Sequence, residues 1–192
     1  MRHHILLILF LSYLGSCSIF AQVKVERESR IDREEVPEKA LNFIERLGDT
    51  SNEKWYSEEN LDGKAIEVKM KRFGSRYSVK FTPEGNLVDV ERDLKWRQIP
   101  EEVAEEIIEE LEEEFDKLKW EKIQIQFIAD PEEMLAYLKK NKEKDEIETY
   151  YEIVFQGKKE GSYKLYEFLF DYEGEIVERS RILPRNTDNL EF

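Results

Sequence analysis

The sequence predicts an α+β fold in which two successive units each lay a helix on one face of an antiparallel meander. Three observations carry this. Two amphipathic stretches open on an apolar residue followed by Pro and Glu; period-two alternation runs through much of the chain after each stretch; and short Gly- or Pro-containing turn signals separate the alternating runs. With 192 residues, 40% apolar and 12% aromatic, there is enough material for a core, and a single cysteine leaves that core without covalent staples.

The elements come in chain order. Met1-Arg2-His3-His4 precedes an uncharged, mostly apolar run over residues 5–20, then Ala21-Gln22 and a polar chain. This predicts a secretory signal peptide over residues 1–21, since the run is short for a membrane span, which takes about 20 apolar residues. Two processing readings stay open. Cleavage after Ala21 gives a soluble periplasmic chain; alternatively Leu14-Gly15-Ser16-Cys17 resembles a lipobox, which makes Cys17 the lipidated first residue of an outer-membrane lipoprotein. Ile19-Phe20-Ala21-Gln22 resembles the signal-peptide ends of exported proteins of Bacteroidetes-type bacteria.

Cleavage after Ala21 leaves no histidine, no cysteine and 29 bases against 44 acids, a net charge of −15. Such a chain cannot run a Ser-His-Asp or Cys-His triad, hold a His/Cys zinc site, attach a c-type haem or do thiol redox chemistry. The acidity also opposes nucleic-acid binding and a polybasic membrane patch.

Residues 22–35 are charged without a sustained apolar period and predict an exposed lead-in. The first unit, residues 36–98, starts at Val36-Pro37-Glu38. Ala40, Leu41, Phe43, Ile44 and Leu47 recur at helical spacing, with Pro37 suited to the first turn and Gly48 to the position past the end. Ile66, Val68 and Met70 then alternate with Glu67, Lys69 and Lys71, and Tyr77, Val79 and Phe81 with Ser78 and Lys80; Val88 and Val90 mark a closing strand. The second unit, residues 99–183, starts at Ile99-Pro100-Glu101, 63 residues later. Its apolar stripe runs Val103, Ala104, Ile107, Ile108, Leu111, Phe115 and Leu118, with an outer face of glutamate that reads as solvated. Alternating runs around Ile123, Tyr151 and Tyr166 come next, with a closing strand at Ile176. A helical insert at about residues 129–148 begins at Asp130-Pro131-Glu132-Glu133, and residues 184–192 form a tail. Trp55 and Trp120 each fall near the end of a helical stretch. Hairpin turns are expected at Phe73-Gly74-Ser75, Pro83-Glu84-Gly85-Asn86, residues 157–161 and Tyr172-Glu173-Gly174.

These marks resemble the PepSY-like, beta-lactamase-inhibitor-like family of exported bacterial proteins: an apolar-Pro pair, an amphipathic helix, a Trp at the first strand, and alternating strands joined by an acid-Gly hairpin. The resemblance implies a tandem sheet whose free, concave face grips a protein or peptide, and it implies no catalysis. It carries over only the hairpin tips, Glu84 and Gly85, and Asp171, Tyr172, Glu173 and Gly174; an Asp-Tyr pair on a tight hairpin looks like the inhibitory loop of the true inhibitors.

Other chemistry is weakly marked. Ser51-Asn52-Glu53-Lys54 fits S-x-x-K but lacks its companion motifs and reads as a polar loop. Asp171-x-Glu173-Gly174-Glu175 lacks a calcium-loop pattern, no glycine-rich phosphate motif occurs, and no cofactor or metal is called for. Tyr150, Tyr163 and Trp96 have no apolar company in phase and are surface-binding candidates. Lys69, Lys71, Arg76 and Lys80 form a basic strip suited to an anionic peptide or partner loop. The expected function is an exported, non-enzymatic protein-binding or inhibitor-like module whose partner is a protein or peptide of the cell envelope. The alternatives are a carboxylate-based periplasmic hydrolase, which needs clustered acids of raised pKa in a cleft, and an envelope lipoprotein with a structural or stress role.

Overall fold

The computed structural model describes residues 22–24, 27–60, 63–140 and 147–183; the expected signal peptide with Cys17, the expected tail at 184–192 and part of the expected insert lie outside the described residues. Among the described residues ten strands form one sheet and three α-helices cover one of its faces. The elements run β1 (Gln22–Lys24), β2 (Arg27–Arg30), α1 (Glu38–Leu47), β3 (Ser51–Asn60), β4 (Gly63–Arg72), β5 (Ser75–Phe81), β6 (Leu87–Asp93), α2 (Glu101–Glu114), β7 (Lys117–Ile128), α3 (Pro131–Lys140), β8 (Glu148–Lys159), β9 (Ser162–Phe170) and β10 (Ile176–Ile182). The strand order is β1-β10-β9-β8-β7-β6-β5-β4-β3-β2, antiparallel except where β1 joins β10.

Register fixes the two faces, because partners across a ladder point the same way. Trp55, Val68, Val79, Val90 and Phe127 form one row and Ile123, Ile153 and Phe168 another. The helices bury their stripes on these rows. Ala40, Phe43, Ile44 and Leu47 of α1, with Met134, Leu135 and Leu138 of α3, form one cluster over the first set; Ile107 and Leu111 of α2, with Phe115, form a second over Ile153, Phe155 and Phe168. Each large side chain fully buried this way contributes about 1.5–3 kcal/mol.

Several expectations are corrected. The α2 stripe stops before Leu118: the helix ends at Glu114, and Phe115 is extended with its ring packed against Phe155, Tyr166 and Phe168. The reason is the ladder with β8, which takes over when the Asp116 N–H donates to the Lys158 carbonyl at 2.8 Å. Trp55 and Trp120 both sit on strands, β3 and β7. Ser51-Asn52-Glu53-Lys54 is the start of β3, paired with β4, rather than a loop. The third hairpin turns at Glu160 and Gly161, with Gly157 inside β8.

The largest departure is the lead-in. Its side chains in β2 are exposed as expected, yet its backbone is paired: β1 on β10, β2 on β3, at opposite ends of the strand order. Three residue steps separate Lys24 from Arg27, at most about 11 Å of chain. With one ladder spacing at each end, Ile182 of β10 and Glu59 of β3 lie within about 21 Å of each other. A flat sheet would put these strands seven steps of about 4.8 Å apart, about 34 Å. The sheet therefore curls, and its helix-free face is the inside of the curl.

Close packing inside the second cluster gives a direct test. A Cβ added to Gly157 would lie 2.5 Å from Cδ1 of Phe115. Gly157→Ala is expected to lose about 1–3 kcal/mol in urea unfolding, with Phe115→Leu in the same chain recovering part of the loss.

Candidate functional site

Four of the sequence-marked cations belong to the inner face, where register places Lys54, Lys69 and Ser78 in one row and Lys71 opposite Arg76 in the next. Asn52, Lys54, Tyr56, Lys69, Lys71, Arg76, Ser78, Asp93, Lys122 and Gln124 line a cavity of about 400 Å³ at this end of the face. Five cations surround it against the single carboxylate of Asp93. Arg76 pairs with Asp93 at 2.8 Å, and Lys69 pairs with Glu28 at 2.5 Å and Glu67 at 3.2 Å. Burial works against the Lys69 ammonium, but these two carboxylates win and hold its pKa above the ordinary value. Lys54 and Lys71 form no ion pair among the described residues. Two like-charge pairs thus face each other across ladders, Lys54 with Lys69 and Lys71 with Arg76, an arrangement that costs stability.

Lys80 departs from the basic strip. It sits deeper, 3.3 Å from Glu58 and opposite Asp89, so it serves an internal network rather than a ligand. Burial lowers its pKa, and Asp89, Glu58 and Glu91 outweigh that and raise it. Beside it lies a row that local patterning does not single out. Asp89, Glu91 and Glu152 are 5–8% exposed on a face that no helix covers, because the curl encloses them. Burial comes first in pushing Asp89 up to about 6, Glu91 to about 7 and Glu152 to about 8; neighbouring carboxylates add to it, while Lys80 and Lys122 oppose it. Asp89 Oδ1, Gln124 Oε1 and Gln126 Oε1 are buried without a hydrogen-bond donor among the described residues. Only the curl, invisible in the local pattern, distinguishes these acids from others that alternate outward.

The remaining candidates scatter. Gly85 and Gly174 are buried rather than presented: their turns need positive φ, 83° and 98°, and a Cβ would lie 2.8 Å from Pro37 and from Glu106 respectively, so each tip is pressed on the start of a helix. Glu84, Tyr172 and Glu173 remain exposed at these tips. The Asp171 carboxylate accepts the N–H groups of Glu173, Gly174 and Glu175, which fixes the turn. Trp96 stacks on Trp120 at 4.7 Å and packs on the second cluster, so packing explains it. Tyr163 is exposed, with the Lys119 ammonium 4.3 Å from its ring centroid. Tyr150, Asp171 and Tyr172 line one cleft, where β8 begins. Among the described residues no group of His, Cys, Asp and Glu is placed to hold a metal ion, and no helix is long and apolar enough to cross a membrane.

The buried carboxyls set the pH dependence of stability. Unfolded, they titrate near pH 4; folded, they keep protons up to about pH 6–8. Between these limits the folded state binds more protons, so stability falls as pH rises. Lys80 stays charged throughout this window and adds no slope. Tm is expected to be lower at pH 8.5 than at pH 5, and Glu152→Gln, which mimics the protonated acid, is expected to flatten the profile. A Tm that rises over this interval contradicts the assignment.

Neither a family model nor a curated protein matches the sequence. Solved structures do. A BLIP-like protein from Bacteroides fragilis NCTC 9343 is similar with a TM-score of 0.50 and 14% identity, over 79% of this chain and 91% of that one. A protein provisionally named periplasmic from Bacteroides eggerthii DSM 20697 is similar with a TM-score of 0.51 and 13% identity, over 76% of this chain and 88% of that one. The chain therefore has a BLIP-like α+β fold.

Proposed function

We propose that the chain is an exported, non-enzymatic binding module that receives an acidic segment of a cell-envelope protein or peptide at the basic mouth of its curled sheet. One observation carries the reading: Lys54, Lys69, Lys71 and Arg76 are held opposite one another around a cavity in a chain of net charge −14. Like charges directly across a ladder destabilise a sheet, and an anion seated between them reverses the sign of that contribution. The volume is of ligand-pocket size, enough for a few side chains but not for a domain. Export rests on the signal-like N-terminus and is supported by the periplasmic name of one similar structure. The recurrence of a helix followed by four strands, α1 with β3–β6 and α2 with β7–β10, supports two PepSY-like units. Inhibition of a beta-lactamase follows from the fold likeness alone, and undiminished hydrolysis by a panel of such enzymes at saturating protein removes it. Mass measurement of the processed chain separates cleavage after Ala21 from lipidation at Cys17.

Titration with short aspartate- and glutamate-rich peptides tests the reading. Binding is expected to be saturable and salt-sensitive, and Lys54→Glu with Lys71→Glu is expected to weaken it at least about tenfold, which is about 1.4 kcal/mol. Both side chains are exposed, so the fold is retained. Equal binding of neutral glutamine-rich peptides overturns it.

A second reading has its own observation. Clustered carboxyls of raised pKa, Asp89, Glu91 and Glu152, meet one requirement of a carboxylate hydrolase. Their exposure of 8% or less opposes substrate access. Hydrolysis of a glycoside or ester panel that is abolished by both Glu91→Gln and Glu152→Gln favours the enzyme.

A further inference from the structure

On the helix-covered side, the two hydrophobic clusters meet at Ile125, which packs on both. Beside it, where β8 begins, lies a cleft of about 990 Å³. Phe127 and Tyr151 contribute to its lining from the sheet, Tyr137 from α3, and Tyr150 and Tyr172 from the end of β8 and the β9–β10 turn. The Phe127 and Tyr137 rings are 5.0 Å apart, and Tyr172 is 65% exposed. Phe127 and Tyr151 are core residues and Tyr137 packs on the first cluster, so Tyr150 and Tyr172 are the lining rings that the core does not account for.

The charge at the recess is one-sided. Its lining includes Glu148 and Asp171 and, among the described residues, no cation. Neither carboxylate forms an ion pair among the described residues: Glu148 accepts the Tyr150 hydroxyl at 3.2 Å, and Asp171 accepts backbone N–H groups of its own turn. The Tyr150 phenol is held above its ordinary pKa, by partial burial first, then by Glu148 and Asp171. Aromatic faces attract cations through the ring quadrupole, by about 0.5–1 kcal/mol where exposed and about 2 where desolvated. Two carboxylates without an ion pair among the described residues add Coulomb attraction of the same sign.

We propose that this cleft binds an organic cation, an alkylammonium or guanidinium group on an apolar body, with the aromatic rings taking the body and Glu148 and Asp171 facing the charge. The site does not depend on the acidic-segment reading. Charge complementarity selects the ligand, because an anion would meet two carboxylates and a purely apolar group would leave them unpaired.

NMR of the full chain with isotope-labelled tyrosine tests this. The probes are blocked Phe-Arg-Phe, its neutral citrulline analogue Phe-citrulline-Phe, and benzyltrimethylammonium. The arginine peptide is expected to shift Tyr150 and Tyr172 saturably and to bind at least about tenfold tighter than the citrulline peptide. Tyr172→Ala with Glu148→Gln is expected to weaken it about tenfold, while Glu109→Gln with Glu112→Gln on the exposed face of α2 leaves it unchanged. Comparable binding of benzyltrimethylammonium assigns the site to a free small cation, and binding of the arginine peptide alone assigns it to a side chain of a partner; both support the proposal. Equal binding of the arginine and citrulline peptides overturns it, as does an unaffected double variant, a loss in the α2 variant, or no saturable shift with any probe.

Discussion

Pairing of one short N-terminal stretch with both edges of a single sheet is the constraint on which the other features depend. β1 adds to β10 and β2 adds to β3, with two residues between them, so two strands that stand far apart in the ladder order are tied together in space. Side-chain chemistry ties them as well: Lys24 reaches Glu167 at 2.5 Å and Glu28 reaches Lys69 at 2.5 Å, both toward the inside of the curl. Neither strand end of the sheet is left as a long bare edge, which removes a route to aggregation.

The curl then sorts the charges. On the outside, the glutamates of α2 are solvated and cost little. Inside, charged groups lose water and must find partners, which is why Lys80 is held among Glu58, Asp89 and Glu91 and why carboxyls deeper in the face keep their protons. Toward the mouth the balance reverses and cations dominate. A protein of strong net negative charge thus presents a basic opening at one place and an aromatic recess with two carboxylates at another. The two places differ in both charge and apolar content, so they suit ligands of different chemistry.

Local periodicity made much of this legible. The α1 stripe from Ala40 to Leu47 and the alternation through Val68, Val79, Ile153 and Phe168 identified the helix-facing side of the sheet. Lys69, Lys71 and Arg76 were legible as a strip because alternation alone puts them on one face. β3 was hidden, since Ser51–Asn60 carries a single buried apolar side chain, Trp55, and pairs through its main chain. β1 and β2 were hidden for the same reason. The acids at Asp89, Glu91 and Glu152 look like any outward-facing carboxylates in sequence, because what buries them is closure of the whole sheet. The meeting of Tyr150 with Tyr172 across 22 residues likewise depends on the β8–β9 register, which no spacing rule supplies.

Closure is the claim on which the enclosed network and the basic mouth both rest, and a distance measures it. Spin labels at Glu59 on β3 and Ile182 on β10, in the full chain, report the gap between the two tied strands by dipolar spectroscopy. Closure predicts a single distribution centred within about 21 Å plus the reach of the labels. A centre at about 34 Å or beyond, the span of a flat sheet over the same strands, contradicts it.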